Sequence, residues 1–214
     1  MPLRTVIVDY ESGNLHSAEK AFQRMAAESG GGSVIVTADP AALDDATHIV
    51  LPGDGAFPAC RRELDAVPGM VAALQEQVIG RGKPFLGICV GMQMLAEVGR
   101  EYTDTPGLGW IGGEVVRIEP ADPALKVPHM GWNELAIDRP HPVLEGIASG
   151  DHAYFVHSYH FALADPAHRL AHAEYGGPRT AIVGRDNILG TQFHPEKSQA
   201  TGLRLIANFL RWRP

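Results

Sequence analysis

The chain has 214 residues, 45% of them hydrophobic and 20% charged, the composition of a globular protein long enough to bury a sizeable core, and one domain spanning residues 1–214 is the expectation. A formal net charge of -7, from 18 Lys+Arg against 25 Asp+Glu, argues against a nucleic-acid partner, and no basic stripe overrides it. Cys60 and Cys89 make no disulfide framework, no apolar run approaches ~18 residues, and the N-terminal residues run straight into a strand pattern without a leader-like apolar stretch, so a cytoplasmic chain off the membrane is expected.

In chain order, residues 3–9 form a first strand ending in Tyr10-Glu11-Ser12-Gly13-Asn14. Leu15, Ala18, Phe22, Met25 and Ala26 then recur at helical spacing until Gly30-Gly31-Gly32 breaks the pattern. Strands follow at 34–37 and 48–51, the latter running into Pro52-Gly53-Asp54-Gly55. Val71, Leu74 and Val78 mark a helix closed near Gly80 and Gly82. Residues 84–88 read as a short apolar strand and 90–98 as the helix after it. This alternation predicts a parallel, doubly wound α/β sheet of flavodoxin-like type with flanking helices. Sites in such sheets form beyond the carboxyl ends of strands, where residues 9–14, 52–55 and Cys89 all fall. From Gly113 to Ala173, short β-like runs at 114–118, 134–137, 153–156 and 159–164 predict antiparallel additions to the same sheet. Residues 181–185 and 188–192 predict a hairpin across Asp186-Asn187, and a last helix carries Leu203, Ile206, Ala207 and Leu210.

Gly87-Ile88-Cys89-Val90-Gly91 places a thiol on a tight strand-to-helix turn, the cysteine form of a nucleophile elbow. Its flanking glycines permit a strained turn, and the N–H groups and helix N-terminus that follow favour the thiolate. The pattern alone also fits a buried structural cysteine. A thiol attacking an amide needs a base, and the base needs a group to orient it. Phe193-His194-Pro195-Glu196 supplies both: His194 and Glu196 follow a strand two positions apart, so their side chains can point the same way. The N–H of Val90 and those of the turn at Asp54 and Gly55 are candidate oxyanion donors.

The elbow and the His194-Pro195-Glu196 run together resemble a class I, triad-type glutamine amidotransferase. Asp9-Tyr10-Glu11-Ser12-Gly13-Asn14-Leu15, Leu51-Pro52-Gly53-Asp54-Gly55-Ala56-Phe57 and Pro128-His129-Met130-Gly131-Trp132-Asn133 narrow the likeness to the glutaminase subunits of imidazole glycerol phosphate synthases. The resemblance spans nearly the whole chain. It implies that Cys89, His194 and Glu196 hydrolyse L-glutamine through a γ-glutamyl thioester without cofactor or metal. It further implies that the ammonia passes to a separate (β/α)₈-barrel cyclase subunit, bound as a heterodimer, which makes imidazole glycerol phosphate and aminoimidazole-carboxamide ribotide for histidine synthesis. The same resemblance implies that Gly55, Gln93, Glu101 and the backbone of Ser158 and Tyr159 hold glutamine. By the same likeness, Asn14, Met130, Trp132, Tyr154 and Lys197 face the partner. Asp54 stands where an apolar residue is common in the family, and Val90 where Leu is common; the oxyanion hole uses backbone, so neither change removes a required side chain.

Two other readings stand beside this one. A stand-alone cysteine hydrolase of related fold, such as a γ-glutamyl hydrolase or a DJ-1-like protein, would share the elbow. A catalytically silent assembly subunit would share the fold but has no use for a complete Cys, His and Glu set. The histidines between 152 and 172 lack a supporting Cys or carboxylate set and make a weak metal site.

Overall fold

The computed structural model describes residues 2–214. The chain opens with β1 (Arg4–Val8), α1 (Leu15–Glu28), β2 (Ser33–Thr37) and β3 (His48–Leu51). Then come α2 (Phe57–Ala66), α3 (Met70–Leu74), β4 (Phe85–Ile88) and the one-turn α4 (Val90–Gln93). The short strands β5 (Val98–Gly99) and β6 (Thr105–Pro106) lead into β7 (Gly113–Arg117), β8 (His129–Glu134), β9 (Ala136–Ile137) and β10 (His152–His157). β11 (Tyr159–Leu163), β12 (Arg169–Glu174), β13 (Pro178–Arg185), β14 (Ile188–Thr191) and α5 (Gln199–Arg211) complete it.

The main sheet has eight strands in the order β2-β1-β3-β4-β14-β13-β12-β9. Pairing is parallel from β2 through to β14 and antiparallel from β14 to β9. Strands β3, β4 and β14 are buried at every position, which explains their mostly apolar sequences, with His48 and Thr191 the buried polar exceptions: a central parallel strand is covered on both faces. The amphipathic α1 buries Ala18, Phe22, Met25 and Ala26 as its spacing predicts and packs on α5, where Phe22 meets Phe209 edge to face at 6.4 Å. The hairpin across Asp186-Asn187 forms as expected, with Arg185 opposite Ile188.

Four features depart from the sequence reading. The helix expected over 90–98 stops at Gln93, because the chain returning at 107–111 claims its carbonyls: Leu108 N–H bonds Met94 O at 2.6 Å and Trp110 N–H bonds Leu95 O at 2.9 Å. Val98 and Gly99 pair instead with Glu114 and Val115. Second, not all the antiparallel runs extend the main sheet. β11, β7, β5 and β6 make a sheet of four strands, and β10 with β8 makes a pair; of the expected runs, only 136–137 reaches the main sheet, through β12. Third, α2 and β12 have no counterpart in the sequence reading; Phe57, Cys60 and Leu64 are the buried stripe of α2, and Ala171 and Ala173 are too small to give β12 an obvious pattern. Fourth, α3 is regular only to Leu74, and residues 75–80 continue as a wider π-type turn.

Candidate functional site

Adjacent parallel strands bring together Cys89 and His194, the expected nucleophile and base. β4 and β14 pair with Ile88 opposite Thr191, so the residues just past each strand, Cys89 and the 192–196 segment, leave the sheet side by side. The Cys89 N–H is tied to Thr191 O at 2.7 Å. Cys89 itself has φ 55 and ψ -112, a left-handed conformation that costs a non-glycine residue ~1–3 kcal/mol. A side chain at Gly91 would drive into the Leu51 carbonyl, and one at Gly87 would come within 2.5 Å of the Gly91 carbonyl. Glycine is required at both flanks by close backbone approach. A four-residue helix has little macrodipole, so any stabilisation of a thiolate by backbone comes from the free N–H groups of its first turn rather than from the helix as a whole.

His194 and Glu196 meet through a tight turn and not through strand alternation. Pro195–Lys197 is a 3₁₀ turn with His194 at its start, and this places His194 Nδ1 2.9 Å from Glu196 Oε1 with both side chains nearly fully buried. Burial by itself pushes the His194 imidazole down, but Cys89 on one side and Glu196 on the other outweigh it and raise it to about 10. The Nε2 atom closes no hydrogen bond among the described residues, and Cys89 lies on that side of the ring. The arrangement therefore favours an imidazolium beside Cys89 Sγ, with Nε2 left open among the described residues for a reacting group.

A cleft of about 240 Å³ opens over Cys89 and is lined by Asp54, Gly55, Val90, Gln93, Glu101, Pro128 and residues 156–159. Every residue expected to hold glutamine is thus on its wall. Gln93 spends its amide nitrogen on Tyr159 O at 3.0 Å and on Gln192 Oε1 at 3.1 Å, leaving its Oε1 as an acceptor. Glu101 also has a structural task, since its Oε2 accepts the Phe57 N–H at 2.7 Å and closes the otherwise uncapped start of α2. Of the candidate oxyanion donors, the Asp54 N–H is directed at Ser12 Oγ, 3.4 Å away; Val90, first in its turn, has no i−4 carbonyl available within the helix. Cys60, buried, contacts Ser12 Oγ at 3.1 Å beneath this strand and does not line the cleft.

Beside the cleft, β8 alternates outward and inward, leaving Met130 63% and Trp132 47% exposed. Trp132 pairs with Tyr154 of β10 in register, their rings edge to face at 5.8 Å. Asn14 caps α1 by accepting the Ser17 N–H and lies with Pro52, Gly53, His194 and Glu196 around a small crevice. Lys197 closes the 3₁₀ turn directly after Glu196. The sequence reading overlooks Gln192. It is fully buried and its Nε2 donates to Cys89 Sγ at 3.8 Å; its place one residue past β14, opposite the elbow, is the available signal.

The chain matches the family Glutamine amidotransferase class-I over residues 6–212. It is 68% identical to "Imidazole glycerol phosphate synthase subunit HisH" of Cereibacter sphaeroides over 98% of this chain and 99% of that protein. It is 60% identical to the protein of the same name from Rhodospirillum rubrum, over 99% of this chain and 100% of that one. Among solved structures, one described as glutamine amidotransferase aligns with TM-score 0.72 at 21% identity over 96% of this chain and 97% of that chain. The structure of PurLQS from Thermotoga maritima aligns with TM-score 0.65 at 21% identity, over 99% and 98% respectively; both share the fold. Among the described residues no helix is long and apolar enough to cross a membrane.

Proposed function

The chain belongs to the class I glutamine amidotransferases, and from that premise we propose that it is the glutaminase subunit of an imidazole glycerol phosphate synthase, acting as one domain in the cytoplasm. Cys89 Sγ, as the thiolate of a thiolate–imidazolium pair with His194, attacks the side-chain carbonyl carbon of L-glutamine, and the oxyanion is held by the backbone N–H of Val90 and by one from Asp54 or Gly55. His194 Nε2 delivers its proton to the leaving nitrogen, ammonia departs, and a γ-glutamyl thioester remains. His194, now neutral, takes a proton from water as its oxygen attacks the thioester; glutamate leaves and the thiolate is restored. Glu196 keeps the Nδ1–H of His194 in place throughout. Gln93, Glu101 and the backbone at Ser158 and Tyr159 hold the amino-acid end of glutamine along the cleft.

The freed ammonia serves a (β/α)₈-barrel cyclase partner, bound as a heterodimer, which forms imidazole glycerol phosphate and aminoimidazole-carboxamide ribotide. The partner surface is the side of β8 and β10 carrying Met130, Trp132 and Tyr154, with Asn14 and Lys197 toward it. The observation that carries the proposal is the buried His194, paired with Glu196 and acted on by Cys89 on the wall of the cleft, in a chain 68% identical over nearly its full length to a protein named for this role. The exposed Met130 and Trp132 favour it over a free-standing hydrolase, which has no need of an apolar outer face there. Glutamate release measured with and without the cyclase tests it. Wild type should be slow alone and fast in the complex, and Cys89→Ala should lose glutamine-dependent synthesis while keeping synthesis from added ammonia. Full activity in the isolated chain, unchanged by the cyclase, would count against it.

A further inference from the structure

Between the cleft and the exposed face of β8 lies a set of polar side chains, His129 and His157 buried and Asn133 partly so, that the thioester chemistry does not use. Met130, Trp132 and Glu134 point outward from β8, while His129 points inward and is 3% exposed. Asn133 Nδ2 lies 3.2 Å from His129 Nε2, His129 Nδ1 lies 2.9 Å from His157 Nε2, and His157 Nδ1 lies 2.9 Å from the Tyr159 carbonyl oxygen.

These contacts determine where the protons sit. A carbonyl oxygen only accepts, so His157 Nδ1 carries the N–H. A neutral imidazole has one N–H, so His157 Nε2 is an acceptor and His129 Nδ1 must donate to it. The remaining nitrogen of His129 then accepts from Asn133, whose amide is itself oriented by Glu174 O at 3.0 Å and the Glu134 N–H at 2.8 Å. The three bonds from Asn133 through His129 and His157 to Tyr159 O all point from β8 toward the cleft. Burial keeps both rings neutral, lowering His129 to about 4 and His157 to about 3. Nor can the His129 ring turn, because it is stacked between Phe155 at 4.8 Å and Tyr175 at 4.0 Å. The chain of bonds ends on the same carbonyl that receives Gln93 Nε2.

We propose that Asn133, His129 and His157 are positioning residues that couple the outer face of β8 to the Tyr159 carbonyl, and through it to Gln93 in the glutamine cleft. A strand is stiff along its backbone and alternates its side chains, so pressure on Met130 and Trp132 displaces His129 and Asn133 with them. The relay rests on the reading of that face as the partner surface.

The test uses the full chain with the cyclase and imidazole glycerol phosphate, measuring KM and kcat for glutamine with and without both. His129→Leu removes the donor to His157, whereas His129→Asn keeps an amide N–H close to the position of Nδ1. In His129→Leu the isolated chain should keep its basal kcat and KM within about twofold, while stimulation by the partner falls at least about fivefold, the lower end of site-to-site coupling. His129→Asn should recover part of that stimulation. Full stimulation in a folded His129→Leu would overturn the relay, as would a parallel fall of basal and stimulated rates, which marks a purely structural residue. Absence of stimulation in wild type would instead overturn the partner reading, and the relay with it. Should His129→Leu not fold, nitrogen NMR of histidine-labelled wild type decides: Nδ1–H tautomers at both His129 and His157 support the relay, and Nε2–H at either overturns it.

Discussion

At the scale of single residues, His194 has two jobs that its neighbours divide. Its Nδ1–H is held by Glu196, and its Nε2, unpartnered among the described residues, is in the proposed mechanism the position from which a proton reaches departing ammonia. Because burial is outweighed by Cys89 and Glu196, which raise it to about 10, the proposed mechanism has the ring start as the acid and become the base only after ammonia leaves. His194→Ala should therefore lower glutamine-dependent kcat by ~10²–10⁴. Glu196→Gln keeps an oxygen that can accept the Nδ1–H but removes the charge that favours the imidazolium, so it should cost less than His194→Ala and shift the alkaline limb of the kcat–pH profile downward. Steady-state glutaminase assays of both variants in the complex, from pH 6 to 10, check this. Equal and small losses at both positions would remove His194 and Glu196 from the mechanism.

At the scale of elements, the turn bearing His194 is stitched to β10 by one hydroxyl and one carbonyl. Ser198 Oγ accepts the Tyr154 N–H at 3.0 Å and donates to His194 O at 2.7 Å, while Tyr154 O accepts the His194 N–H at 3.2 Å. Ser198 is 1% exposed, so no water replaces it. Ser198→Ala should cost ~1–3 kcal/mol of stability, the penalty for a buried donor left unmade, and should lower kcat as the His194 backbone loosens; urea titration and glutaminase assays measure the two. An unchanged urea midpoint would show the clasp to be idle. None of this stitching was legible in the sequence, because a serine after a turn gives no sign of which distant strand it meets. The parallel core was legible, since strands covered on both faces leave apolar runs such as 49–51 and 84–88. The length of the helix after Cys89 was not: Met94, Leu95 and Ala96 suit a helix, and only the chain returning from Leu108 to Ile111 takes their carbonyls away. The nearness of Cys89, His194 and Glu196 was legible from residue types, whereas the buried Gln192 and the imidazole pair His129–His157 came to light only from strand register.

At the scale of the whole molecule, buried histidines tie folding to pH. Burial, the leading cause in each case, lowers His157 to about 3 and His48, His129 and His160 to about 4, whereas an unfolded histidine titrates near 6.5. Their folded values are depressed, so their effect is absent above ~6.5; below it the unfolded chain binds protons that the folded chain refuses. The urea midpoint should fall steadily from pH 6.5 to 4, and a flat midpoint across that window would mean these rings charge without unfolding.

The other whole-molecule property is the face made by β8 and β10. Trp132 is 47% exposed and braced by Tyr154, so it presents a large, rigid apolar surface at little entropic cost, the character of an interface hot spot. On the core side, the same two strands carry His129 and His157, and Tyr154 shares its peptide with the clasp on His194. Truncating Trp132 leaves those inward contacts untouched, because alternation puts it on the opposite face. Trp132→Ala should therefore keep the melting temperature of the isolated chain within a few degrees, weaken binding of the cyclase by at least about 2 kcal/mol if it is a hot spot, and reduce stimulated glutamate release. Calorimetric titration of the cyclase into each chain, paired with the glutaminase assay, separates loss of binding from loss of coupling. Wild-type affinity and wild-type stimulation in Trp132→Ala would place the partner surface elsewhere on the molecule.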